Sequence, residues 1–408
     1  MELRVLQKEE HGRTRTLWET VFSEDSKSFL DYYYFIKTQD NRIYVLEENQ
    51  EIRSMIQLNP YMLQIEDTTH LCHYVIGVAT QKEYRSRGYM RRLLLKSMQD
   101  MYGQKEPFTF LMPAAEAIYT PYGFRFIYRQ RQAELYGNSG MEEQIACRDA
   151  RLSDAEALSD FFEQYARVTN ESCESTQDIP ELMPSTRRRT FVEKRRYQVY
   201  AVRAPKYYQT LILEQQSENG GIRLVYCQQE LVGMFAYAKE EGWEIREPVF
   251  RPEYEHTFFP AVLELTGSRE VSVNCLAYSL GDLEKSVKKM IEKPVIMARI
   301  LHLETLLKCI KVKAGERISC TFAVIDPLIT GNNKIWKLQN TEGSDRLQVQ
   351  ETEDSQGVIT IEALTELLFG SRELQEIAKE KEVILPESLI QELRKLEVLR
   401  YVYLNEIV

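Results

Sequence analysis

The chain contains the stretch Val78-Ala79-Thr80-Gln81-Lys82-Glu83-Tyr84-Arg85-Ser86-Arg87-Gly88-Tyr89-Met90-Arg91-Arg92, in which the end of an apolar segment meets the start of an amphipathic one. The run 70–80 predicts a strand, and apolar residues at helical spacing over 90–101 predict a helix. Backbone N–H groups at a helix start bind anions, and Gly88 lets the backbone approach a phosphate closely. Positive charge comes from Arg85, Arg87, Arg91 and Arg92. The stretch therefore predicts a pyrophosphate site, and a basic helix start on the surface is the alternative interpretation.

Strands and helices alternate on both sides of this stretch, which indicates an α/β sheet. The polar segment Asn138-Ser139-Gly140 and the later Pro294 mark two breaks. We therefore predict three domains, over residues 1–137, 138–292 and 293–408. We also expect Pro60 to interrupt a strand, 210–215 to form a strand and 281–291 to form a helix.

The composition narrows the class of protein. With 408 residues the chain is long enough for about two to four domains. Its net charge of −10 argues against nucleic-acid binding and slightly favours a cationic small molecule. No apolar run approaches the roughly 18 residues of a membrane span, and the N-terminus lacks a signal-peptide core. We therefore expect a cytoplasmic protein without a membrane span.

The seven cysteines are widely spaced and form no CxxC pair, so we expect reduced thiols without a zinc site. His70, Cys72 and His73 stand close together, but alternation in a strand places His73 on the face opposite the other two. A packed strand is the favoured interpretation of this group, and we predict no metal.

Three segments carry a resemblance to a known family. Arg85–Met90 resembles the acyl-CoA-binding motif of GNAT N-acetyltransferases, and a large residue at the position of Met90 is typical of the Eis (enhanced intracellular survival) group. Ile118–Phe124 is similar to that group's Ile-Tyr-x-x-Phe/Tyr-Gly-Phe/Tyr segment. The Asp326-Pro327 pair and the segment 363–370 resemble its C-terminal sterol-carrier-like domain.

The resemblance implies a fold, a co-substrate and a set of binding residues. The fold is α/β (α+β), with two tandem GNAT-type domains that have mixed central sheets, followed by a sterol-carrier-like α/β domain. Acetyl-CoA is the implied co-substrate, no metal is needed, and the family assembles as hexamers. The implied CoA-binding residues are Val78, Ala79 and Thr80 at the strand end, Arg85, Ser86, Arg87, Gly88, Tyr89, Met90 and Arg91 at the pyrophosphate, and Ala114 and Ala115 across the cleft.

The same resemblance implies two catalytic groups. Tyr119 matches the family's general acid, which protonates the leaving thiolate, and a tyrosine pKa of about 10 makes that transfer feasible. The family's general base is the C-terminal carboxylate, which here belongs to Val408. The alternative interpretations are a packed aromatic side chain at Tyr119 and a buried terminal strand without a catalytic role.

These features together predict an acetyl-CoA-dependent N-acetyltransferase that acts on a primary amine and forms a homo-oligomer. Aminoglycosides, polyamines and lysine side chains are all compatible acceptors. The carboxylates of Glu24 and Asp25 could line an amine pocket, although the sequence does not place them there. Two alternatives stay open. One is a lipid- or acyl-binding sterol-carrier-like protein with a degenerate acetyltransferase site, and the other is a scaffold that mainly builds an oligomer.

Overall fold

A computed structural model describes residues 1–136, 144–167, 197–239, 242–267, 270–274 and 287–406. The first part of the chain forms β1 (Glu2–Val5), α1 (Arg15–Val21), α2 (Lys27–Phe35), β2 (Arg42–Glu48), β3 (Glu51–Ile65), β4 (Thr68–Thr80), α3 (Tyr89–Gly103), β5 (Phe108–Leu111), α4 (Glu116–Tyr119) and β6 (Arg125–Tyr136). Strands β1 to β4 form an antiparallel meander, which β5 joins in parallel. Helices α1 and α2 bury Trp18 and Tyr33 on one face of this sheet, and α3 buries Leu93 and Met98 on the other.

The expected interruption at Pro60 is wrong, because β3 continues through it and Pro60 pairs with His73. Strand β2 pairs with β3 only as far as Leu58, so no neighbour on that side needs a backbone N–H from Pro60. A proline is tolerated in a strand at such an open edge.

The middle part forms β7 (Ile145–Asp149), α5 (Ala155–Arg167), β8 (Val199–Ala201), α6 (Pro205–Ser217), β9 (Gly221–Cys227), β10 (Glu230–Lys239), β11 (Trp243–Phe250), α7 (Phe258–Thr266), β12 (Glu270–Asn274) and β13 (Val287–Ile300). The strand expected over 210–215 is wrong, because these residues lie inside α6. Pro205 occupies the first turn of that helix, where its missing N–H costs nothing. The helix expected over 281–291 is wrong from Val287 onward, where β13 begins; 281–286 lie outside the described residues.

One large mixed sheet joins the first and middle parts. Its strand order is β1-β2-β3-β4-β5-β13-β6-β12-β11-β10-β9-β7. Strand β13 pairs with both β5 and β6, so the predicted boundary between residues 292 and 293 falls inside a strand. Pro294 pairs with Arg129 next to a register shift in that strand, and such an irregularity tolerates a proline. The division into three domains stays a prediction. Its second boundary, between residues 292 and 293, would have to lie closer to the C-terminus, beyond β13.

The last part forms α8 (Leu303–Cys309), β14 (Lys311–Val312), β15 (Ser319–Ile325), β16 (Ile335–Gln339), β17 (Gln348–Thr352), β18 (Val358–Thr360), α9 (Ile361–Leu368), α10 (Leu374–Ile377), α11 (Glu387–Leu393), β19 (Leu396–Glu397) and β20 (Val402–Tyr403). Strands β17, β16, β15 and β18 form a separate sheet in that order. Strand β20 leaves this part and pairs in parallel with β8, which itself pairs with β3 of the first part. The segment that contains β20 therefore lies among elements of the first and middle parts. Among the described helices, none has the length and apolar character required to cross a bilayer.

Candidate active site

A cleft of about 770 Å³ opens where β4 and β5 separate. The two strands pair in parallel only at Tyr74 and Phe110. Beyond that pair β4 carries a bulge, because the register with β3 shifts between Met55 and Gln57, opposite Ala79 and Ile76. A bulge bends its strand and interrupts regular pairing, so the end of β4 turns away from β5 and a ligand-sized space remains.

The bulge depends on Gly77, which has a φ of +58°. The indole of Trp18 packs against this glycine, and its Nε1 donates a hydrogen bond of 2.6 Å to Oδ2 of Asp25. Both Trp18 and Asp25 line the cleft, as does Glu24. The two carboxylates that the sequence could not place therefore lie at the cleft and give part of its wall a negative charge.

The other end of the cleft is the start of α3. Gly88 precedes this helix with a φ of +76°, and Ser86 has a φ of +61°. The N–H groups of the first helical turn have no acceptor within the helix and are free to bind an anion. Arg85 and Arg91 add positive charge to the cleft at this end. The geometry fits the predicted pyrophosphate site.

Most of the predicted site residues line this cleft: Val78, Thr80, Arg85, Ser86, Gly88, Tyr89, Met90, Arg91, Ala114 and Tyr119. Ala79, Arg87 and Ala115 are not among the lining residues. Ala79 points to the opposite face of β4 and packs in the core that contains Trp18. The guanidinium of Arg87 donates to the carbonyl of Glu83 at 2.8 Å and lies over the ring of Tyr84. The roles assigned to the lining residues remain predictions.

Tyr119 ends α4 and is buried against Phe124, with ring centroids 5.8 Å apart. No hydrogen bond joins its hydroxyl to another described residue, and the side chain lines the cleft, so its proton is available to a ligand there. Burial raises the pKa of Tyr119 to about 12. The side chain is therefore a neutral phenol throughout the physiological pH range, as a proton or hydrogen-bond donor requires.

A second cavity, of about 430 Å³, lies between α2, β3, α6 and the end of the chain. Two residues that line it, Asn41 and Glu406, each have a buried acceptor atom without a hydrogen-bond partner, Oδ1 and Oε2 respectively. Glu214 also lines this cavity, and its Oε2 accepts a hydrogen bond of 2.9 Å from Tyr32. Burial raises the pKa of Glu214, and it raises that of Glu406 to about 7. Although Lys37 and Lys206 also line this half-open cavity, its unpaired acceptors and its carboxylates favour a ligand with N–H donors.

Aromatic side chains separate the two cavities. Tyr74 lines the cleft and Tyr61 lines the second cavity, and the ring of Phe110 packs against both, with centroid distances of 5.4 and 6.1 Å. Tyr74 lies within electrostatic range of both Tyr119 and Glu406. Tyr119, the predicted acid, and Glu406 therefore lie on opposite sides of this aromatic group.

The C-terminal segment is fixed in this region up to the last described residue. Oδ1 of Asn405 accepts hydrogen bonds from Tyr128 at 3.3 Å and Gln130 at 3.2 Å, both on β6. Oε1 of Glu406 accepts from Tyr207 on α6 at 3.2 Å. Val408, the predicted base, lies outside the described residues, two positions beyond Glu406.

Two segments of the chain match known domain families. Residues 2–127 match the acetyltransferase (GNAT) domain family, and residues 303–401 match the sterol carrier protein domain family. The chain therefore contains a GNAT acetyltransferase domain followed by a sterol carrier protein domain. The predicted fold class, and the predicted combination of a GNAT domain with a C-terminal sterol-carrier-like domain, are confirmed. A comparison with curated protein sequences finds no match.

Three solved structures share the fold along the full length of this chain. A conserved protein of unknown function from Enterococcus faecalis, titled a probable N-acyltransferase, has 16% identity and a TM-score of 0.78, over 100% of this chain and 99% of that one. A GCN5-related N-acetyltransferase from Anabaena variabilis has 14% identity and a TM-score of 0.76, over 100% of both chains. Eis1 from Mycobacterium abscessus has 13% identity and a TM-score of 0.70, also over 100% of both chains.

Several residues that line the cleft or the second cavity could not be predicted from the sequence. Gly77 carries a readable signal, because an isolated glycine in an apolar strand indicates a bulge. No sequence pattern marks Trp18, Tyr74 or Glu406, because only long-range packing brings these residues to the cleft or to the second cavity. The described residues contain no group of three or more His, Cys, Asp or Glu side chains placed to bind a metal ion.

Proposed function

We propose that this acyltransferase moves an acetyl group from acetyl-CoA to a primary amine by direct attack in a ternary complex. The observation that carries the proposal is the joint position of Tyr119 and the start of α3 on one cleft. An anion site at one end and a free phenol at the other suit a long thioester substrate whose charged and reactive ends are far apart.

The proposed reaction needs a base for the amine and a donor for the sulfur. The cationic amine first gives one proton to the base, which frees the lone pair of its nitrogen. The nitrogen attacks the thioester carbonyl carbon, the C–S bond breaks, the nitrogen gives its second proton to the solvent through the base, and the sulfur leaves as a thiolate that takes a proton from the solvent. Tyr119 donates a hydrogen bond to that sulfur. A thiol has a pKa of about 8.5, so a phenol with a pKa of about 12 stabilises the developing charge mainly as a hydrogen-bond donor. This refines the expectation from the sequence, which assumed an ordinary tyrosine pKa.

For the base we propose the C-terminal carboxylate of Val408. Its support is the path of the preceding segment, in which Asn405 contacts β6 of the GNAT domain and Glu406 faces the second cavity. A terminal carboxylate has a pKa near 3.5 and is anionic at neutral pH, so it can accept a proton through water. Glu406 adds a second carboxylate within two residues of that terminus.

For the acceptor we propose a cationic amine that enters from the second cavity. The support is the pair of unpartnered acceptors on Asn41 and Glu406, together with the buried carboxylate of Glu214. Polyamines, lysine side chains and aminoglycosides all carry the required N–H donors. We also propose a cytoplasmic homo-oligomer, a hexamer by the family resemblance.

The test is acetyl-CoA-dependent thiol release against a panel of polyamines, lysine peptides and aminoglycosides, using protein that ends at Val408. Tyr119→Phe is expected to lower kcat by about 10²-fold. Tyr401→Phe, a change at an exposed tyrosine, is the matched control. A third protein with three residues added after Val408 is expected to lose turnover while it still binds acetyl-CoA.

Each outcome decides one part of the proposal. Wild-type turnover by Tyr119→Phe would remove the proposed acid, and wild-type turnover by the extended protein would remove the proposed base. Absence of acetyl-CoA binding would overturn the enzyme proposal. Lipid that co-purifies with a protein unable to bind acetyl-CoA would favour the alternative, a lipid-binding sterol carrier protein.

A further inference from the structure

A fully buried ion pair connects the sterol carrier domain to the segment that carries Tyr119. Arg299 lies on β13, and its Nη2 donates a hydrogen bond of 2.5 Å to Oδ1 of Asp326, with both side chains completely buried. The Nε of Arg299 donates at 3.0 Å to the carbonyl of Tyr122. One guanidinium therefore binds an acidic residue of one domain and the backbone of the other.

The carboxylate of Asp326 is fixed by further hydrogen bonds. Its Oδ1 also accepts from the backbone N–H groups of Leu328 at 3.0 Å and Ile329 at 2.9 Å. Its Oδ2 accepts from Nδ2 of Asn332 at 2.9 Å. Because three hydrogen bonds from its own turn hold the carboxylate, its position follows that of the sterol carrier domain.

The guanidinium meets the active-site segment at close range. A Cβ at Gly123 would lie 3.1 Å from Nε of Arg299 and 3.2 Å from Oε1 of Glu362, and Gly123 has a φ of +82°. The N–H of Phe124, just beyond this glycine, donates to the carbonyl of Tyr119 at 3.4 Å. The tight turn that follows Tyr119 therefore packs directly against the side chain of Arg299.

Apolar packing reinforces the same connection. Leu328 and Ile329, from the turn that holds Asp326, pack in the core cluster that contains Tyr119 and Phe124. Replacing a buried ion pair by well-packed apolar residues is often neutral or stabilising, so stability alone does not explain this one. A charged pair with fixed hydrogen-bond directions does fix the orientation of the two segments that it joins, which apolar contacts do less well.

We infer that Arg299 and Asp326 are positioning residues, through which the sterol carrier domain sets the place of the Tyr119 hydroxyl in the cleft. The inference rests on the proposed role of Tyr119. Neither residue lines the cleft, so neither touches substrate. Any effect of these two residues on turnover must therefore be transmitted through the turn at 120–124. It must disappear in Tyr119→Phe, which lacks the hydroxyl that they position.

The experiment is a double-mutant cycle on the full chain. Asp326→Asn keeps the shape and one acceptor oxygen but removes the charge that binds Arg299. It is expected to lower kcat by about tenfold and to leave the KM for acetyl-CoA within about twofold of wild type. In a Tyr119→Phe background the same change is expected to alter kcat by less than about twofold.

Two further proteins keep the inference testable if Asp326→Asn folds poorly. The pair Arg299→Gln with Asp326→Asn removes both charges together and leaves no unpaired buried charge, and it is expected to behave as Asp326→Asn does. Leu338→Ala truncates a buried residue of the same domain, so it reports the effect of destabilisation alone. It is expected to lower the melting temperature without changing kcat.

The outcomes separate this inference from the proposed function. Suppose that Tyr119→Phe lowers kcat, and that Asp326→Asn causes the same fold-loss in kcat in the Tyr119→Phe background as in wild type. The positioning role is then overturned, while the proposed role of Tyr119 as the acid stands. An unchanged kcat in Asp326→Asn, or an equal loss in Leu338→Ala, also overturns it. Wild-type turnover by Tyr119→Phe overturns the proposed acid, and the positioning role with it.

Discussion

The indole of Trp18 occupies the space that a side chain at Gly77 would need. A Cβ at Gly77 would lie 2.6 Å from Cζ3 of Trp18, well inside van der Waals contact. The tryptophan is itself buried and its Nε1 is bound to Asp25, so the ring cannot simply turn away. The bulge that separates β4 from β5 therefore depends on a glycine at this position and on the ring packed against it.

Gly77→Ala is accordingly expected to reduce both stability and acetyl-CoA binding. The positive φ and the clash with Trp18 together should cost on the order of 2–3 kcal/mol in the free energy of unfolding. Because the strain falls on the bulge, the KM for acetyl-CoA should also rise. Denaturant unfolding and steady-state kinetics measure the two effects.

Gly103→Ala is the control, because a Cβ there meets nothing within 4 Å and the glycine has no positive φ. It should leave the free energy of unfolding within about 0.5 kcal/mol of wild type. Equal stability of Gly77→Ala and Gly103→Ala would contradict the account of the bulge.

Gly88 permits a sharper test of the anion site, because a second glycine matches its conformation elsewhere. Gly88 has a φ of +76° and Gly343 a φ of +77°, and a Cβ at either would meet nothing within 4 Å. Glutamate at either position should cost about 1–2 kcal/mol of stability from the left-handed backbone. Only Gly88→Glu places a negative charge at the start of α3, so only it should raise the KM for acetyl-CoA, by at least about tenfold.

Comparison of the two glutamate variants separates charge at the site from backbone strain. A similar rise in the KM for acetyl-CoA in Gly88→Glu and Gly343→Glu would show that strain alone is responsible. An unchanged KM in Gly88→Glu would mean that the phosphates bind elsewhere.

The fold could be predicted from the sequence where local pattern and tertiary environment agree. The strand before Gly88 and the helix after it are examples, because alternation, periodicity and the glycine all indicate one structure. Residues 210–215 show the opposite case. Their apolar, β-branched composition indicates a strand, but Pro205 starts a helix whose position is fixed by packing against α5 and α2. Tertiary packing overrides a weak local preference there.

Only the proposed CoA side of the site could be predicted from the sequence, because its residues lie in short continuous motifs. Residues 85–91 and Tyr119 lie in short segments with recognisable patterns, and most of them line the cleft. The proposed acceptor side is lined by Asn41, Glu214 and Glu406, which are far apart in sequence and have no motif. Only the fold brings these three together, so no spacing rule could have found them.

Glu214 provides a test of the acceptor side. Glu214→Gln keeps the oxygen that accepts a hydrogen bond from Tyr32 but removes the negative charge. A cationic acceptor should then bind less well, with a KM about five- to tenfold higher, while the KM for acetyl-CoA stays unchanged. Glu156→Gln, a change on the exposed face of α5, is the control and should alter neither constant. A rise in the KM for acetyl-CoA alone would place Glu214 outside the acceptor site.

Glu406 makes the stability of the protein depend on pH in a specific direction. Burial raises its pKa in the folded protein to about 7, whereas an unfolded glutamate titrates near 4.3. The folded state therefore binds the proton more tightly, and the resulting stabilisation is complete below about pH 4 and lost as the pH rises through 7. The loss is on the order of 4 kcal/mol, and the folded pKa behind it already includes the opposing charge of Arg203.

Glu406→Gln removes this titration, so its melting temperature should change less than that of wild type between pH 4.5 and pH 7.5. At pH 8 the variant should be the more stable protein, because wild type then holds a buried charge that the variant lacks. Glu342→Gln, at an exposed position, should follow the wild-type curve. Thermal unfolding across this pH range measures all three proteins. Parallel curves for wild type and Glu406→Gln would mean that Glu406 is already ionised at pH 4.5, which is the result expected if Arg203 outweighs burial.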